Sequence, residues 1–195
     1  MTLNKYGYHF DNPSSLAFQT YYRETVGNRE HFGASVDFFR VFKQKYSLQG
    51  IDNGYLARLE GDKTAILQYI DNKRLSELYF GYFADVALKH GDGTTQKNLG
   101  SFFAKLVHTF SSDNFCALDN PIKGYFGLRN ESFYIAFIVI SNAYQEWSME
   151  NPLLMSQIRN ELNDNKVGRV FSAKMTDLKL LDLIFWYEAN EANRV

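Results

Sequence analysis

Residues 95–128 read TQKNLGSFFAKLVHTFSSDNFCALDNPIKGYFGL, and the order of patterns in this stretch decides the predicted fold. Its first half carries large apolar residues at spacings of three and four, which is the period of one face of an α-helix. A polar turn and a short apolar segment follow, and then Asp119-Asn120-Pro121. An Asp or Asn ahead of proline typically starts a helix, because it accepts from free amides and proline fixes φ. The stretch therefore predicts a helix, a turn, an extended segment and a second helix.

The same helical signals continue outward from this stretch in both directions. Residues 74–90 show apolar spacings of three and four, and an apolar segment beginning at Asn130 or Ser132 continues through Trp147. Thr176 precedes another apolar helical pattern near the C-terminus. Only residues 51–60 suggest the edge of a short hairpin.

These patterns predict an all-α (mostly α) fold. Three prolines in 195 residues favour long helices over frequent turns. We expect a single domain over residues 1–195, formed as a bundle of about eight or nine helices. Residues 1–30 are a candidate N-terminal extension packed on that bundle.

The composition predicts a large aromatic core. Phe, Tyr and Trp make up 16% of the residues, and each buried ring removes much apolar surface from water. Phe38, Phe39 and Phe42 stand at helical spacing, which favours core packing over a stacking platform for bases.

Charge and apolar run length restrict the class of partner. The net charge is −1, so contact with nucleic acid would depend on a local basic patch. The uncharged window from Ser132 to Gln145 is too short to span a bilayer. We therefore expect a cytoplasmic protein with no membrane partner.

Few residues outside residues 95–128 indicate chemistry. The histidines His9, His31, His90 and His108 show no metal-binding spacing, and the single cysteine excludes a CxxC site. Cys116 lies between apolar neighbours and reads as a buried hydrophobe. We therefore expect no metal and no cofactor.

The helix, turn, extended segment and aspartate of residues 95–128 resemble the core of the helix–hairpin–helix DNA glycosylase superfamily. Leu99-Gly100 stands where the family has its hairpin, and Asp119 follows Ser101 by eighteen residues, the family's spacing. The resemblance implies that Asp119 is the catalytic aspartate, which stabilises positive charge on the deoxyribose and activates a water after base flipping. Ser101 falls where bifunctional members have a Schiff-base lysine. The resemblance also implies a nucleic-acid-binding surface formed by Lys97, Gly100, Ser101, Lys105 and Lys123.

The C-terminal segment MTDLKLLDLIFWYEA, residues 175–189, also resembles the last helix of a loose set of uncharacterised bacterial helical proteins. That set pairs such a helix with a segment like residues 103–120. No activity is implied by this second resemblance.

The sequence leaves three functions open. The first is a non-catalytic binding or regulatory protein with a glycosylase-like core that contacts nucleic acid. The second is a protein–protein interaction module, of the kind found in phage–host or toxin systems, which the aromatic excess favours. The third is a monofunctional DNA glycosylase that uses Asp119 to activate water. For Asp119 itself, a helix cap is the alternative to catalysis.

Overall fold

A computed structural model describes residues 13–91, 93–164 and 175–192. The described residues form eleven helices, nine of which have at least seven residues, and one small hairpin. The prediction of a mostly α fold is confirmed. Residues 1–12 of the proposed N-terminal extension, which include His9, lie outside the described residues, as does the side chain of His90.

The elements follow one another from the N-terminus to the C-terminus without an internal repeat. Their bounds are α1 Pro13–Thr25, α2 Arg29–Ala34, α3 Phe38–Lys45, α4 Asn53–Gly61, α5 Lys63–Asp71, α6 Leu75–Tyr82, β1 Val86–His90, β2 Gly93–Lys97, α7 Gly100–Phe110, α8 Asn120–Tyr125, α9 Phe133–Glu150, α10 Pro152–Asp164 and α11 Asp177–Ala192.

Helix α7 is the central element of the core. Nine of its eleven residues are buried, as expected for a helix that other elements surround on all sides. The Phe102 ring stacks on Phe42 of α3 at a centroid distance of 5.3 Å. On another side, Phe103 meets Phe137 of α9 edge to face at 5.1 Å. The predicted core positions Phe38, Phe39 and Phe42 are all buried.

The predicted helix over residues 74–90 is wrong in its second half. The helix ends at Tyr82, and Val86–His90 instead pairs antiparallel with Gly93–Lys97. Burial alternates along the first strand, with Val86 and Leu88 buried and Ala87 and Lys89 exposed, which is the period of a strand. Gly91 has φ +57°, a left-handed conformation that glycine adopts without strain. The apolar spacing over residues 74–90 therefore fits a helix in its first part and a strand in its second part. Because residues 93–97 form the second strand, helix α7 begins at Gly100 rather than at residue 95.

The suggested hairpin edge in residues 51–60 is also wrong. These residues lie mainly in α4, which Asp52 caps by accepting from the Tyr55 amide at 2.9 Å. Asp52 also accepts from the Lys89 amide in β1 at 2.9 Å, so the same carboxylate ties α4 to the real hairpin.

The predicted helix starts nearest the C-terminus are confirmed. The Ser132 hydroxyl accepts from the Ile135 amide and caps α9, and the Thr176 hydroxyl accepts from the Lys179 amide at the start of α11. Helix α11 packs on α8 and α9. Asp119 at the start of α8 is thereby held beside the buried face of α11. Within the described ranges, no helix has the length and apolar composition needed to cross a membrane.

Candidate functional site

Asp119 lies at the end of the extended segment and caps α8. Its Oδ1 accepts from the Ile122 amide at 3.4 Å, so the predicted cap is confirmed. Its Oδ2 lies 3.8 Å from Nζ of Lys105, and these two side chains are only 17% and 13% exposed. The carboxylate is therefore shared between a helix end and an ion pair.

The Lys105–Asp119 pair lies where two cavities meet. One cavity has a volume of about 580 Å³ and is here called the aromatic cavity, because Phe18, Tyr46 and Trp186 line it. The other has a volume of about 660 Å³ and is here called the polar cavity. Both volumes lie in the range of small-molecule sites. Lys105 and Asp119 line both cavities.

The polar cavity brings together all the residues that the glycosylase resemblance assigned to nucleic acid. These are Lys97, Gly100, Ser101, Lys105 and Lys123. Ser101 and Lys105 share one face of α7, because they are four residues apart on a helix. The five residues that the resemblance grouped therefore line one cavity. They differ in which of their groups are available to bind a ligand.

Lys123 is committed to the protein itself. It is 8% exposed, and its ammonium donates to the carbonyl oxygens of Arg129 and Glu131. These bonds tie the segment after α8 back onto that helix. The Lys97 side chain is less restrained, because the only hydrogen bond of its ammonium among the described residues is at 3.5 Å to the Gly50 carbonyl.

Gly100 is explained by packing rather than by phosphate binding. A Cβ at this position would lie 2.1 Å from Cγ of Phe133, so only glycine lets α7 approach α9 here. The Gly100 amide donates to Oδ1 of Asn98 at 2.9 Å, which occupies the donor that a phosphate would need. The segment just ahead of Gly100 is strand β2, where a helix–hairpin–helix arrangement would have a helix.

Two charged residues of the aromatic cavity were missed by the sequence analysis. Lys179 and Asp182 both lie on α11, and they are 6% and 3% exposed. The signal was available in the segment LKLLDL, which places two charges three residues apart within a helix that is otherwise apolar on that face. Charged residues are rarely buried without a partner or a function.

Two aromatic rings face the Lys179 ammonium. Its Nζ lies 5.8 Å from the ring centroid of Phe18 and 5.5 Å from that of Tyr22, which is within cation–π range. Burial lowers the pKa of Lys179, and the charges of Asp182 and Asp119 act in the opposite direction. Burial likewise lowers the pKa of Lys105.

Asp182 holds one backbone amide and leaves one oxygen unpaired. Its Oδ2 accepts from the Ala117 amide at 2.6 Å, whereas the buried Oδ1 has no hydrogen-bond partner among the described residues. Burial raises the pKa of this carboxyl to about 6, partly offset by Lys179.

His108 and Cys116 serve the core. The His108 Nε2 pairs with the Tyr22 hydroxyl at 2.9 Å and its Nδ1 pairs with the Phe115 carbonyl at 2.7 Å. Burial lowers the pKa of His108 to about 3, so the ring is neutral, donating from Nδ1 and accepting at Nε2. Cys116 is fully buried, as predicted, and burial raises the pKa of its thiol.

Apolar side chains also reach the surface away from both cavities. Phe80 on α6 is 66% exposed, and Ile135 and Val139 on α9 are about half exposed. The hypothesis of a protein partner stays a prediction.

Within the part of the chain that the structure describes, no group of three or more metal-binding side chains occurs. Comparison with protein families, curated proteins and solved structures found no match for this chain.

Proposed function

We propose that this chain is a non-catalytic helical binding protein, and that its polar cavity receives phosphate groups of nucleic acid. The observation that carries the proposal is the convergence of Lys97, Ser101 and Lys105 on one cavity. Ammonium groups attract phosphates without regard to sequence, and a hydroxyl can donate to a phosphate oxygen.

The contacts of the two Asp119 carboxylate oxygens support binding rather than catalysis. A general base must present a free carboxylate oxygen to the water that it activates. Here Oδ1 accepts from an amide of α8, and Oδ2 faces the Lys105 ammonium at 3.8 Å. Ser101 has no amine, so it cannot form the Schiff base of a lyase step.

The small number of available lysines sets the expected strength of binding. Among the described residues, Lys97 is restrained only by a 3.5 Å bond to the Gly50 carbonyl, and Lys105 faces Asp119 at 3.8 Å without a closer partner, whereas the Lys123 ammonium is held by two carbonyls. Two phosphate contacts predict a slope of log K against log salt of about −2 for duplex DNA. Affinity should then fall about tenfold between about 50 mM and about 200 mM salt.

Fluorescence anisotropy with a labelled duplex and a labelled single strand at these two salt concentrations tests the proposal. Lys97→Met should weaken binding at low salt and reduce the salt slope by about one. Lys89→Met is the matched control, because this exposed lysine in β1 lines neither cavity. An absence of binding at low salt, or equal weakening by the control, would contradict the proposal.

A further inference from the structure

Lys179 has a buried positive charge with no anionic partner in contact. It is 6% exposed, and its Nζ lies over the ring faces of Phe18 and Tyr22, with no carboxylate within ion-pair distance among the described residues. Ring faces compensate part of the lost hydration, but they accept no conventional hydrogen bond. The ammonium therefore keeps donors available in the aromatic cavity, which it lines.

Asp182, three residues later on α11, has a carboxylate oxygen that lacks a hydrogen-bond donor in the part of the chain that the structure describes. Its Oδ1 is buried and has no hydrogen-bond donor among the described residues, and the residue lines the same cavity. A buried acceptor without a partner is costly. A ligand that donates to this oxygen would remove that cost, and the Ala117 amide already holds Oδ2 in place at 2.6 Å.

The charges around the aromatic cavity nearly balance. Lys45, Lys105 and Lys179 contribute three ammonium groups to its lining, and Asp119 and Asp182 contribute two carboxyl groups. A simple anion would satisfy the ammonium groups and leave Oδ1 of Asp182 without a donor. A simple cation would do the reverse, so a ligand with both charges fits this arrangement best.

The remaining walls are aromatic. Phe18, Tyr46 and Trp186 line the cavity, and Trp186 is 42% exposed at its edge. Such walls stabilise an apolar or aromatic body by removing its surface from water. The volume of about 580 Å³ is sufficient for a molecule of amino-acid size.

We propose that the aromatic cavity binds a free α-amino acid with a large apolar side chain. Its carboxylate accepts from the Lys179 ammonium, its ammonium donates to Oδ1 of Asp182, and its side chain packs against Phe18, Tyr46 and Trp186. The inference goes beyond the proposed nucleic-acid binding, because Lys179 and Asp182 line the aromatic cavity and not the polar one.

Fluorescence of Trp186 gives a direct readout. The chain has two tryptophans, so Trp147→Phe leaves Trp186 as the only indole. The full chain is titrated with the free amino acids L-phenylalanine, L-leucine, L-isoleucine and L-methionine. 3-Phenylpropionate lacks the ammonium and phenethylamine lacks the carboxylate, and each should bind about tenfold more weakly than L-phenylalanine, or worse.

Two variants assign the charged contacts. Lys179→Met and Asp182→Asn should each weaken amino-acid binding about tenfold or more, while Lys89→Met should leave it unchanged. If a variant fails to fold, the comparison of ligands on the tryptophan reporter chain still decides. The absence of a saturable change with all four amino acids would overturn the proposal. Equal affinity for 3-phenylpropionate and L-phenylalanine would also overturn it. DNA binding fails or succeeds independently of both outcomes.

Discussion

Asp182 shows at the scale of one residue how burial alters a charge. The residue is 3% exposed, and burial raises the pKa of its carboxyl group from the ordinary value of 3.8 to about 6. Between these values the folded chain holds a proton on Asp182 that the unfolded chain has released. The free energy of unfolding therefore decreases as the pH rises through this window.

We expect Asp182→Asn to remove this loss, because an amide does not titrate. As the pH rises from about 4 to about 7, the free energy of unfolding of the variant should increase by about 3 kcal/mol relative to that of the wild-type protein. Urea unfolding of both proteins across this range measures the difference. His108 changes the free energy of unfolding in the opposite direction as the pH rises, since burial lowers its pKa to about 3. Both proteins contain His108, so its contribution cancels in the difference between them. A difference that is independent of pH would contradict this account of Asp182.

Single residues were predictable where the cause is local. Asp119 precedes Asn120-Pro121, and this context alone predicted the cap that the structure shows. The partners of Lys179 could not be predicted in the same way, because Phe18 and Tyr22 lie more than 150 positions away in the sequence. The approach of α11 to α1 depends on the packing of the whole chain.

At the scale of elements, the contact between α7 and α9 depends on Gly100. The Phe133 ring occupies the space where a Cβ would stand, with Cγ 2.1 Å away. Helix α7 could not keep this approach with any larger residue. The same closeness places Ser101 and Lys105 beside the polar cavity.

We expect Gly100→Ala to lower the free energy of unfolding by about 2–3 kcal/mol, because overpacking displaces α7 or the Phe133 ring. Gly81→Ala in α6 is the matched control, since no atom lies within 4 Å of its added Cβ. The control should be neutral or stabilising by up to about 1 kcal/mol. Chemical denaturation measures the free energy of unfolding of the wild-type protein and of both variants.

Phe133→Ala provides the second half of this test. The double variant with Gly100→Ala should lose less stability than the sum of the two single variants, because the smaller side chain removes the clash. Additive losses would show that Gly100 is required for another reason.

The hairpin shows why element type was only partly predictable. The apolar residues Leu75, Leu78, Tyr79, Tyr82, Phe83 and Val86 follow one another at spacings of three and four or are adjacent, so a helical period can be extended across the boundary. The structure ends the helix at Tyr82 and begins strand β1 at Val86. The antiparallel partner that stabilises this strand lies in the following segment, and a helical pattern read locally takes no account of it.

At the scale of the whole molecule, the candidate site exists because distant parts of the chain meet. Helices α7, α8 and α11 contribute Lys105, Asp119 and Asp182 to adjoining cavities. The sequence grouped the first two through the glycosylase resemblance. The third could only join them once α11 packed on α8.

We infer that the Lys105–Asp119 pair belongs to a binding site and not to a catalytic one. The most direct measurement titrates labelled duplexes carrying common base lesions with the wild-type protein and with Asp119→Asn at about 50 mM salt. The recovered DNA is then treated with alkali to cut abasic sites. Asn keeps a side-chain oxygen for the cap, while the negative charge beside Lys105 is lost.

Removing that charge should strengthen DNA binding by up to about fivefold, because Lys105 no longer faces an anion. After alkali treatment, the DNA recovered from both proteins should have its original length. Weaker binding by Asp119→Asn would contradict the claim. Abasic sites formed by the wild-type protein and not by the variant would also contradict it and would establish Asp119 as a catalytic residue.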